Sequence, residues 1–262
     1  MSTLAEKRVY ADRIAGTTVA VACGLGLLTV SVAEDRIGEF GLAHRCTALD
    51  LAVDAGQLAV ATDEDVLLGP DHDPLGFGPA VAVAIADGRA SAASPEGRIA
   101  RTTEDGGWEE FGSIESEIRA IDGDLVATGE GVYRLDDEPS HVGLSDVRDV
   151  AARGVPLAAT GDALYVLGNG WMEVLEGEFV AADVDRREGL SERACAATET
   201  AVFVREDGEW VDTAIPAGGL VDVAVREAIY AITGEGELLV DAGDGWQRRS
   251  LGVPDVRALA AL

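Results

Sequence analysis

Residues that build catalytic and metal sites are scarce in this sequence. There are three cysteines with no CxxC pair among them, which favours free buried thiols over a disulfide or a metal site. There are also only three histidines, and no G-x-S-x-G sequence presents a serine nucleophile. We therefore expect no cofactor, no metal and no catalytic residue, and a non-enzymatic protein is the favoured interpretation.

Lysine is almost absent, because Lys7 stands alone beside 19 arginines and 48 acidic residues. The net charge of -28 and the lack of a basic stripe argue against nucleic acid as a partner, since phosphate binding depends on clustered Lys and Arg. Apolar residues still make up 47% of the chain, so a core can form beneath an acidic surface. The favoured interpretation is adaptation to molar salt, which screens self-repulsion; the alternative is an acidic surface for a basic partner.

A secretory signal is also missing, since no apolar stretch follows the basic residues of MSTLAEKRVYADR, and a cytoplasmic location is expected. Residues 14–33 carry no charge over 20 positions, which is long enough to cross a bilayer as a helix. This stretch contains three glycines and aligns with the repeats described next. It therefore predicts two strands, and no membrane association is expected.

No segment predicts a long amphipathic helix, because Gly, Pro or a turn pair interrupts before three turns accumulate. What is present is a phrase that returns seven times: small apolar residues, a marker Thr, Ser or Cys, a Gly or acidic turn, and an apolar run. The markers are Cys23, Thr62, Ser94, Thr128, Thr160, Thr198 and Thr233. They are 39, 32, 34, 32, 38 and 35 residues apart, so seven repeats nearly fill the 262 residues.

Each repeat divides into four short strands. The second strand ends at the marker, and in four repeats the fourth strand begins near a tryptophan that follows an Asp-Gly or Asn-Gly turn. These tryptophans are Trp108, Trp171, Trp210 and Trp246. Four-stranded antiparallel units repeated seven times predict an all-β, seven-bladed β-propeller, with residues 1–262 as a single domain.

The two ends of the chain predict how the ring closes. The C-terminal DVRALAAL is a first strand with no second strand behind it, whereas TTVAVAC at 17–23 is a second strand with no certain first strand before it. We expect residues 255–262 to complete the blade that residues 17–42 begin, which hides two sheet edges. Residues 1–14 form an extension or an outer strand, or KRVYADRI at 7–14 is itself the first strand.

The turns before the tryptophans resemble a known motif. RTTEDGGW at 101–108 is similar to a shortened Asp-box turn of sialidase-like (BNR-like) and photosystem-assembly-factor-like propellers, and 204–210 and 240–246 are weaker copies. Taken with the acidic, lysine-poor composition, the whole chain resembles an uncharacterised haloarchaeal β-propeller family. That resemblance implies a propeller fold and no particular activity.

Polar residues of the first strands are the principal site candidates, because this strand lines the central channel of a propeller. Three arginines occupy one column and four aspartates an adjacent one, so one set faces the channel and the other a neighbouring blade. The two columns are Arg119, Arg148 and Arg257, and Asp50, Asp149, Asp183 and Asp222. Two interpretations stay open: a polar mouth that binds a small ligand or peptide, or paired charges that fill the channel.

A second candidate is PDHDP at 70–74, where Asp71, His72 and Asp73 offer potential metal ligands. The flanking prolines favour a rigid acidic turn instead. The segments 69–79 and 185–193 break the repeat, as active-site or partner-binding loops would.

The favoured function is a non-enzymatic platform in a salt-adapted cytoplasm. It is expected to be a monomer that contacts a protein partner through loops at one face of the ring. The alternative is a hydrolase or lyase that acts on a small or sugar-like substrate at the channel mouth. The 48 acidic residues do not single out the carboxylate pair that glycoside cleavage requires.

Overall fold

The computed structural model describes residues 16–185 and 192–262, and it confirms the seven-bladed all-β propeller. These residues form seven four-stranded antiparallel sheets and contain no helix. The first strands of consecutive blades contact one another around the central axis. The predicted first strand at 7–14 lies outside the described residues.

Blades 2 to 7 each take four consecutive strands, and the first of the four lies innermost. Blade 2 contains β4 (Ala48–Asp54), β5 (Gln57–Thr62), β6 (Val66–Leu68) and β7 (Asp73–Pro74). Blade 3 contains β8 (Ala82–Ala86), β9 (Arg89–Ala93), β10 (Arg98–Thr102) and β11 (Trp108–Ser113). Blade 4 contains β12 (Ile118–Asp122), β13 (Leu125–Thr128), β14 (Gly131–Leu135) and β15 (Pro139–Gly143).

The remaining consecutive blades follow the same plan. Blade 5 contains β16 (Val147–Ala151), β17 (Leu157–Thr160), β18 (Ala163–Leu167) and β19 (Trp171–Glu176). Blade 6 contains β20 (Phe179–Asp185), β21 (Arg193–Thr198), β22 (Val202–Glu206) and β23 (Glu209–Thr213). Blade 7 contains β24 (Leu220–Val225), β25 (Ile229–Thr233), β26 (Glu237–Asp241) and β27 (Gln247–Ser250).

Blade 1 closes the ring and confirms the predicted pairing of the two ends. It combines the C-terminal β28 (Val256–Ala261) with β1 (Thr17–Cys23), β2 (Gly26–Ala33) and β3 (Arg36–His44). β28 is antiparallel to β1, with Val19 opposite Ala261 and Val21 opposite Leu259. The uncharged stretch considered as a membrane span therefore contributes β1 and β2, and no helix in the described residues is long and apolar enough to cross a membrane.

The marker residues have a common structural role at the turn between the second and third strands. A hydroxyl at this position accepts a backbone N–H from the other side of the turn or donates to a carbonyl there, as a capping side chain does in ST turns. Thr128 does both, because its Oγ1 donates to the Gly131 carbonyl at 2.8 Å and accepts the Gly131 N–H at 3.1 Å. The Cys23 Sγ donates to the Gly26 carbonyl at 3.3 Å, so this cysteine makes the same kind of contact as the threonines.

The core is divided among the seven seams between blades. Residues of adjacent blades interleave in each seam, for example Val19 and Val21 of blade 1 with Tyr230 and Ile232 of blade 7. Alanine is abundant near the axis, where the first strands converge. The small side chains permit that convergence, and the larger apolar residues and tryptophans fill the wider outer part of each seam.

Candidate functional site

The channel-lining first strands contain two layers in which every position is Asp or Ala. In the upper layer, each residue pairs with the residue immediately before the marker of its blade. This layer comprises Asp50, Ala82, Ala120, Asp149, Ala181, Asp222 and Ala258. The lower layer lies two residues further along each strand. It comprises Ala52, Ala84, Asp122, Ala151, Asp183, Ala224 and Ala260. In both layers, the position next to each Asp in the following blade is an Ala.

Each of the five aspartates ties its own blade to the following one. In the upper layer, Asp149 accepts the N–H of Val150 in its own strand and the N–H of Ala182 in blade 6, both at 2.8 Å. Asp50 makes the same pair of bonds with Leu51 and Val83, and Asp222 with Val223 and Leu259. In the lower layer, Asp122 accepts the N–H of Ala152, and Asp183 that of Val225. Backbone N–H groups that would otherwise face the channel unpaired are thus satisfied.

Five of the seven seams carry such a carboxylate tie. The seams from blade 1 to blade 2 and from blade 3 to blade 4 have alanine in both layers, at Ala258 and Ala260 and at Ala82 and Ala84. Apolar side chains of the adjacent blades pack across these two seams.

The protein environment of the channel raises the pKa of most of these carboxylates. Burial raises the pKa of Asp50 to about 7 and that of Asp149 to about 8, although two backbone N–H bonds to each carboxylate oppose the change. Burial raises the pKa of Asp222 well above its usual range and also raises the pKa of Asp122. Mutual repulsion among the carboxylates adds to the effect.

Two arginines occupy the lower end of the channel, beyond the aspartate layers. Arg153 of blade 5 crosses to blade 2, where its Nη2 donates to the Val53 carbonyl at 2.6 Å and lies 3.3 Å from the Asp54 carboxylate. Arg226 lies 3.1 Å from the Asp183 carboxylate. The cavity lined by the five aspartates and these arginines has a volume of about 120 Å³.

The predicted arginine column does occupy equivalent positions, one residue before the upper layer, where each first strand bulges. Neither Arg119 nor Arg148 pairs with an aspartate of the predicted column. Arg119 contacts Asp146 of the next blade at 2.7 Å, and Arg148 lies 3.8 Å from Glu178 of the next blade. Arg257 is exposed and makes no ion pair or hydrogen bond with a described residue.

The predicted aspartate column needs one correction. Asp183 belongs to the lower layer, because it pairs with Cys195, three residues before the marker Thr198, whereas Asp50 pairs with the residue immediately before its marker. Sequence reasoning also missed Asp122, which is in the same layer as Asp183. The layer of each aspartate follows from counting back from the marker through the hairpin between the first and second strands. In blade 6 this hairpin is long, so the sequence does not show how its two strands pair.

The PDHDP candidate lies at the outer edge of blade 2, in a loop that is fixed by other residues. The Asp65 carboxylate accepts the N–H groups of Gly76 and Phe77 at 2.9 and 2.8 Å. The Phe77 ring lies 4.7 Å from the ring of Trp108, whose Nε1 donates to the Leu75 carbonyl at 3.0 Å. The loop therefore joins blades 2 and 3.

No group of three or more His, Cys, Asp or Glu within the described ranges is arranged to hold a metal ion, and His72 instead packs edge-on against His44. The other candidate loop, 185–193, lies largely outside the described residues.

The ring has one face on which all seven turns between second and third strands end, and we call it the top face. The tip of each turn, two residues after the marker, is exposed. Five tips are acidic, at Glu64, Glu96, Glu130, Asp162 and Glu235, and a sixth is Thr200. The seventh, in blade 1, is Leu25, which is 53% exposed. The repeat is thus broken at one blade by an apolar side chain, a feature that the repeat pattern alone does not reveal.

Solved propellers share the architecture at low sequence identity. The chain is similar to the WD40 β-propeller domain of Doa1, with a TM-score of 0.63 and 14% identity over 88% of each chain. It is similar to YCF48 bound to D1 peptide, with a TM-score of 0.53 and 16% identity over 78% of this chain and 82% of that one. The computationally designed protein Ika8 gives a TM-score of 0.59 and 13% identity over 94% and 91% of the two chains.

These likenesses show the fold alone, and no curated protein matches the chain. The sequence itself is more specific about the family. Residues 3–262 match the family described as HVO_0234-like, beta propeller, and the chain therefore belongs to that family.

Proposed function

We propose that the protein is a non-enzymatic interaction platform in a salt-adapted cytoplasm, and that it contacts a protein partner through its top face. The observation that carries the proposal is the break in symmetry at Leu25. A half-exposed leucine at a turn tip contributes nothing to the core, whereas the same position in five other blades has the acidic residue expected of a solvated surface. Leu25 is the position at which the top face departs from the repeat, and apolar side chains are enriched in the buried centre of protein interfaces.

The fold is compatible with this function. Loops that cluster on one face of a rigid scaffold are a common location for binding residues. One of the similar propellers, YCF48, is known from its structure in complex with a peptide, although that structure says nothing about the partner of this chain.

A hydrolase or lyase at the channel is less well supported. The cavity among the aspartates has a volume of about 120 Å³, which is smaller than the ~300–1,000 Å³ typical of small-molecule sites. The Asp50, Asp149 and Asp222 carboxylates already accept two backbone N–H bonds each, so their oxygens are engaged in joining blades.

Affinity purification from the native host in high salt tests the proposal. We expect a stoichiometric partner to co-purify with the wild-type protein and with Glu130→Gln, which changes a tip in blade 4. Leu25→Glu, which gives blade 1 the acidic tip of other blades, should release the partner without lowering the melting temperature. A monomer that co-purifies with a bound small molecule and no protein would overturn the proposal in favour of the enzyme.

A further inference from the structure

The polar contacts between neighbouring blades are distributed unevenly around the ring. Five seams contain side-chain hydrogen bonds that join one blade to the next, among them the carboxylate ties at the axis. Within residues 16–185 and 192–262, no side-chain hydrogen bond or ion pair joins blade 1 to blade 2 or blade 3 to blade 4. Apolar side chains pack across these two seams, and His44 packs edge-on against His72 in the first. The two seams separate blades 2 and 3 from the other five blades.

Blades 2 and 3 are joined to each other both at the axis and at the rim. At the axis, the Asp50 carboxylate of blade 2 accepts an N–H of β8 in blade 3 at 2.8 Å. At the rim, Trp108 of blade 3 donates to the Leu75 carbonyl in the long loop of blade 2 at 3.0 Å. Arg98 of blade 3 donates to the Phe77 carbonyl in the same loop at 2.8 Å and lies over the Phe77 ring. The two blades are therefore one unit, with polar contacts at its inner and outer ends.

Residues 48–113 form these two blades as one continuous stretch of chain, which we call the blade 2–3 unit. The other five blades stay connected without it, because each seam from blade 4 through blade 7 to blade 1 has a carboxylate tie. Blade 1 keeps its C-terminal strand paired with β1 in that body. Closure of the ring by the two ends of the chain therefore does not involve the blade 2–3 unit.

Arg153 joins the blade 2–3 unit to the other five blades across the channel. From blade 5, its Nη2 donates to the Val53 carbonyl at 2.6 Å and lies 3.3 Å from the Asp54 carboxylate. Both acceptors belong to β4, the innermost strand of the unit in blade 2. In the part of the chain that the structure describes, no other side chain makes a hydrogen bond or ion pair between the unit and the other five blades.

We propose that the blade 2–3 unit separates from the ring and unfolds as one cooperative unit while the other five blades stay folded, and that Arg153 is the latch that holds it. Segments with few connections to the rest of a protein open at a lower free energy than the whole protein unfolds. Separation at any of the five other seams would leave buried carboxylates or N–H groups without partners, whereas the two flanking seams lack these bonds. This device is independent of the proposed platform, since it does not involve Leu25.

Native-state hydrogen exchange at low urea concentrations and constant salt tests the proposal. Amides of β4 to β6 and β8 to β10 should share one opening free energy and one urea dependence. Their protection factors should be at least about tenfold lower than those of β20 to β22 and β24 to β26. Equal protection in all these strands would mean that the ring unfolds only as a whole, and separate opening of blades 2 and 3 would mean that they are not one unit. Either result would overturn the proposal.

Arg153→Gln tests the latch. It should lower the protection factors of the blade 2–3 unit about tenfold and change those of blades 6 and 7 by less than about twofold. The matched control is Arg205→Gln, because the Arg205 side chain is 33% exposed, against 34% for Arg153, and lies 3.7 Å from a glutamate of its own blade. This control should leave the protection of the unit unchanged. An equal fall in all blades of Arg153→Gln would show a general stabilising contact and no latch.

Asp149→Asn tests the boundary of the unit from the other side. It weakens the seam between blades 5 and 6, which lies within the five-blade body. Protection in blades 6 and 7 should therefore fall, while that of the blade 2–3 unit stays unchanged because the unit opens without that seam. A parallel fall in the unit would mean that its opening requires the other blades to unfold, which would overturn the proposal.

Discussion

The carboxylate of Asp149 in blade 5 accepts the backbone N–H of Ala182 in blade 6 at 2.8 Å. The same carboxylate accepts the N–H of Val150 at 2.8 Å, so one side chain holds two first strands at a fixed separation. Ala182 follows Ala181, whose small side chain leaves room for the carboxylate to reach across the seam. The Asp and Ala residues at the axis therefore hold neighbouring blades of the ring together.

Replacing this carboxylate with an amide should weaken the seam. In Asp149→Asn, the NH₂ group faces one of the two N–H donors and cannot accept from it, whereas the hydroxyl oxygen of the protonated Asp149 carboxyl group still can, so the variant leaves a buried donor unpaired. We expect the free energy of unfolding at about pH 5 to fall by about 1–3 kcal/mol. Urea unfolding measures the change, and Asp212→Asn, on an exposed position of β23, should be neutral. A seam variant as stable as the wild type would show that the tie contributes nothing.

The stability of the protein should also depend on pH through the channel aspartates. Their pKa is raised to about 7 for Asp50 and to about 8 for Asp149. An aspartate in the unfolded chain titrates near 3.9, so between about pH 4 and pH 8 the folded state binds more protons than the unfolded state. The free energy of unfolding must therefore decrease as the pH rises through this window.

Repulsion among surface carboxylates also lowers the free energy of unfolding as the pH rises. A comparison of the wild type with a variant separates the two effects. Asp149→Asn cannot titrate, so its unfolding free energy should fall less steeply with pH than that of the wild type. The deficit of the variant should shrink as the pH approaches about 8. Parallel pH profiles for the two proteins at constant salt would contradict the raised pKa of Asp149.

The fold could be predicted from the sequence because its signals are local and repeated. The marker at Thr128 caps a turn within four residues, and Trp108 opens a strand directly after its turn. The candidate site was harder to predict from the sequence, because its hydrogen bonds join different blades. Asp183 and Asp122 act through the N–H groups of Val225 and Ala152 in other repeats. A one-residue bulge in six of the seven first strands also decides which side chains face the channel.

The contact made by Arg153 could not have been predicted from spacing at all. Its guanidinium reaches Val53, 100 residues earlier in the chain, because the ring brings blades 5 and 2 to opposite sides of a narrow channel. Arg153→Gln should lose this hydrogen bond and the contact with Asp54, and we expect a loss of about 1–3 kcal/mol in the free energy of unfolding.

Hydrogen exchange locates the effect of Arg153→Gln. Amides of β4 and β16 should exchange faster in this variant, because their strands are no longer joined across the channel. Arg134→Gln breaks a more exposed ion pair with Asp124 in blade 4 and should cost no more than about 1 kcal/mol. If the two variants behaved alike, the contact across the channel would have no special structural role.

The loop 69–79 should depend on Asp65 and not on its own acidic residues. Asp65→Ala removes the acceptor for the N–H groups of Gly76 and Phe77, so the loop should detach from Trp108. The indole N–H resonance of Trp108 reports this change, since Nε1 donates to Leu75 in the loop. The triple variant D71N/H72Q/D73N should leave both this resonance and the melting temperature unchanged. If the resonance shifted in the triple variant and not in Asp65→Ala, the loop would depend on Asp71, His72 and Asp73 and not on Asp65.

Closure of the ring by β28 predicts that the last residues are required for folding. Deleting residues 254–262 removes buried Leu259 and Ala261 and exposes the edge of β1. We expect this variant to lack a cooperative thermal transition by circular dichroism. Deleting Leu262 alone loses one hydrogen bond, from its N–H to the Thr18 carbonyl, and should leave a folded protein with a slightly lower melting temperature. Wild-type melting of the longer deletion would mean that blade 1 is stable with three strands and that the ring does not need its C-terminal strand.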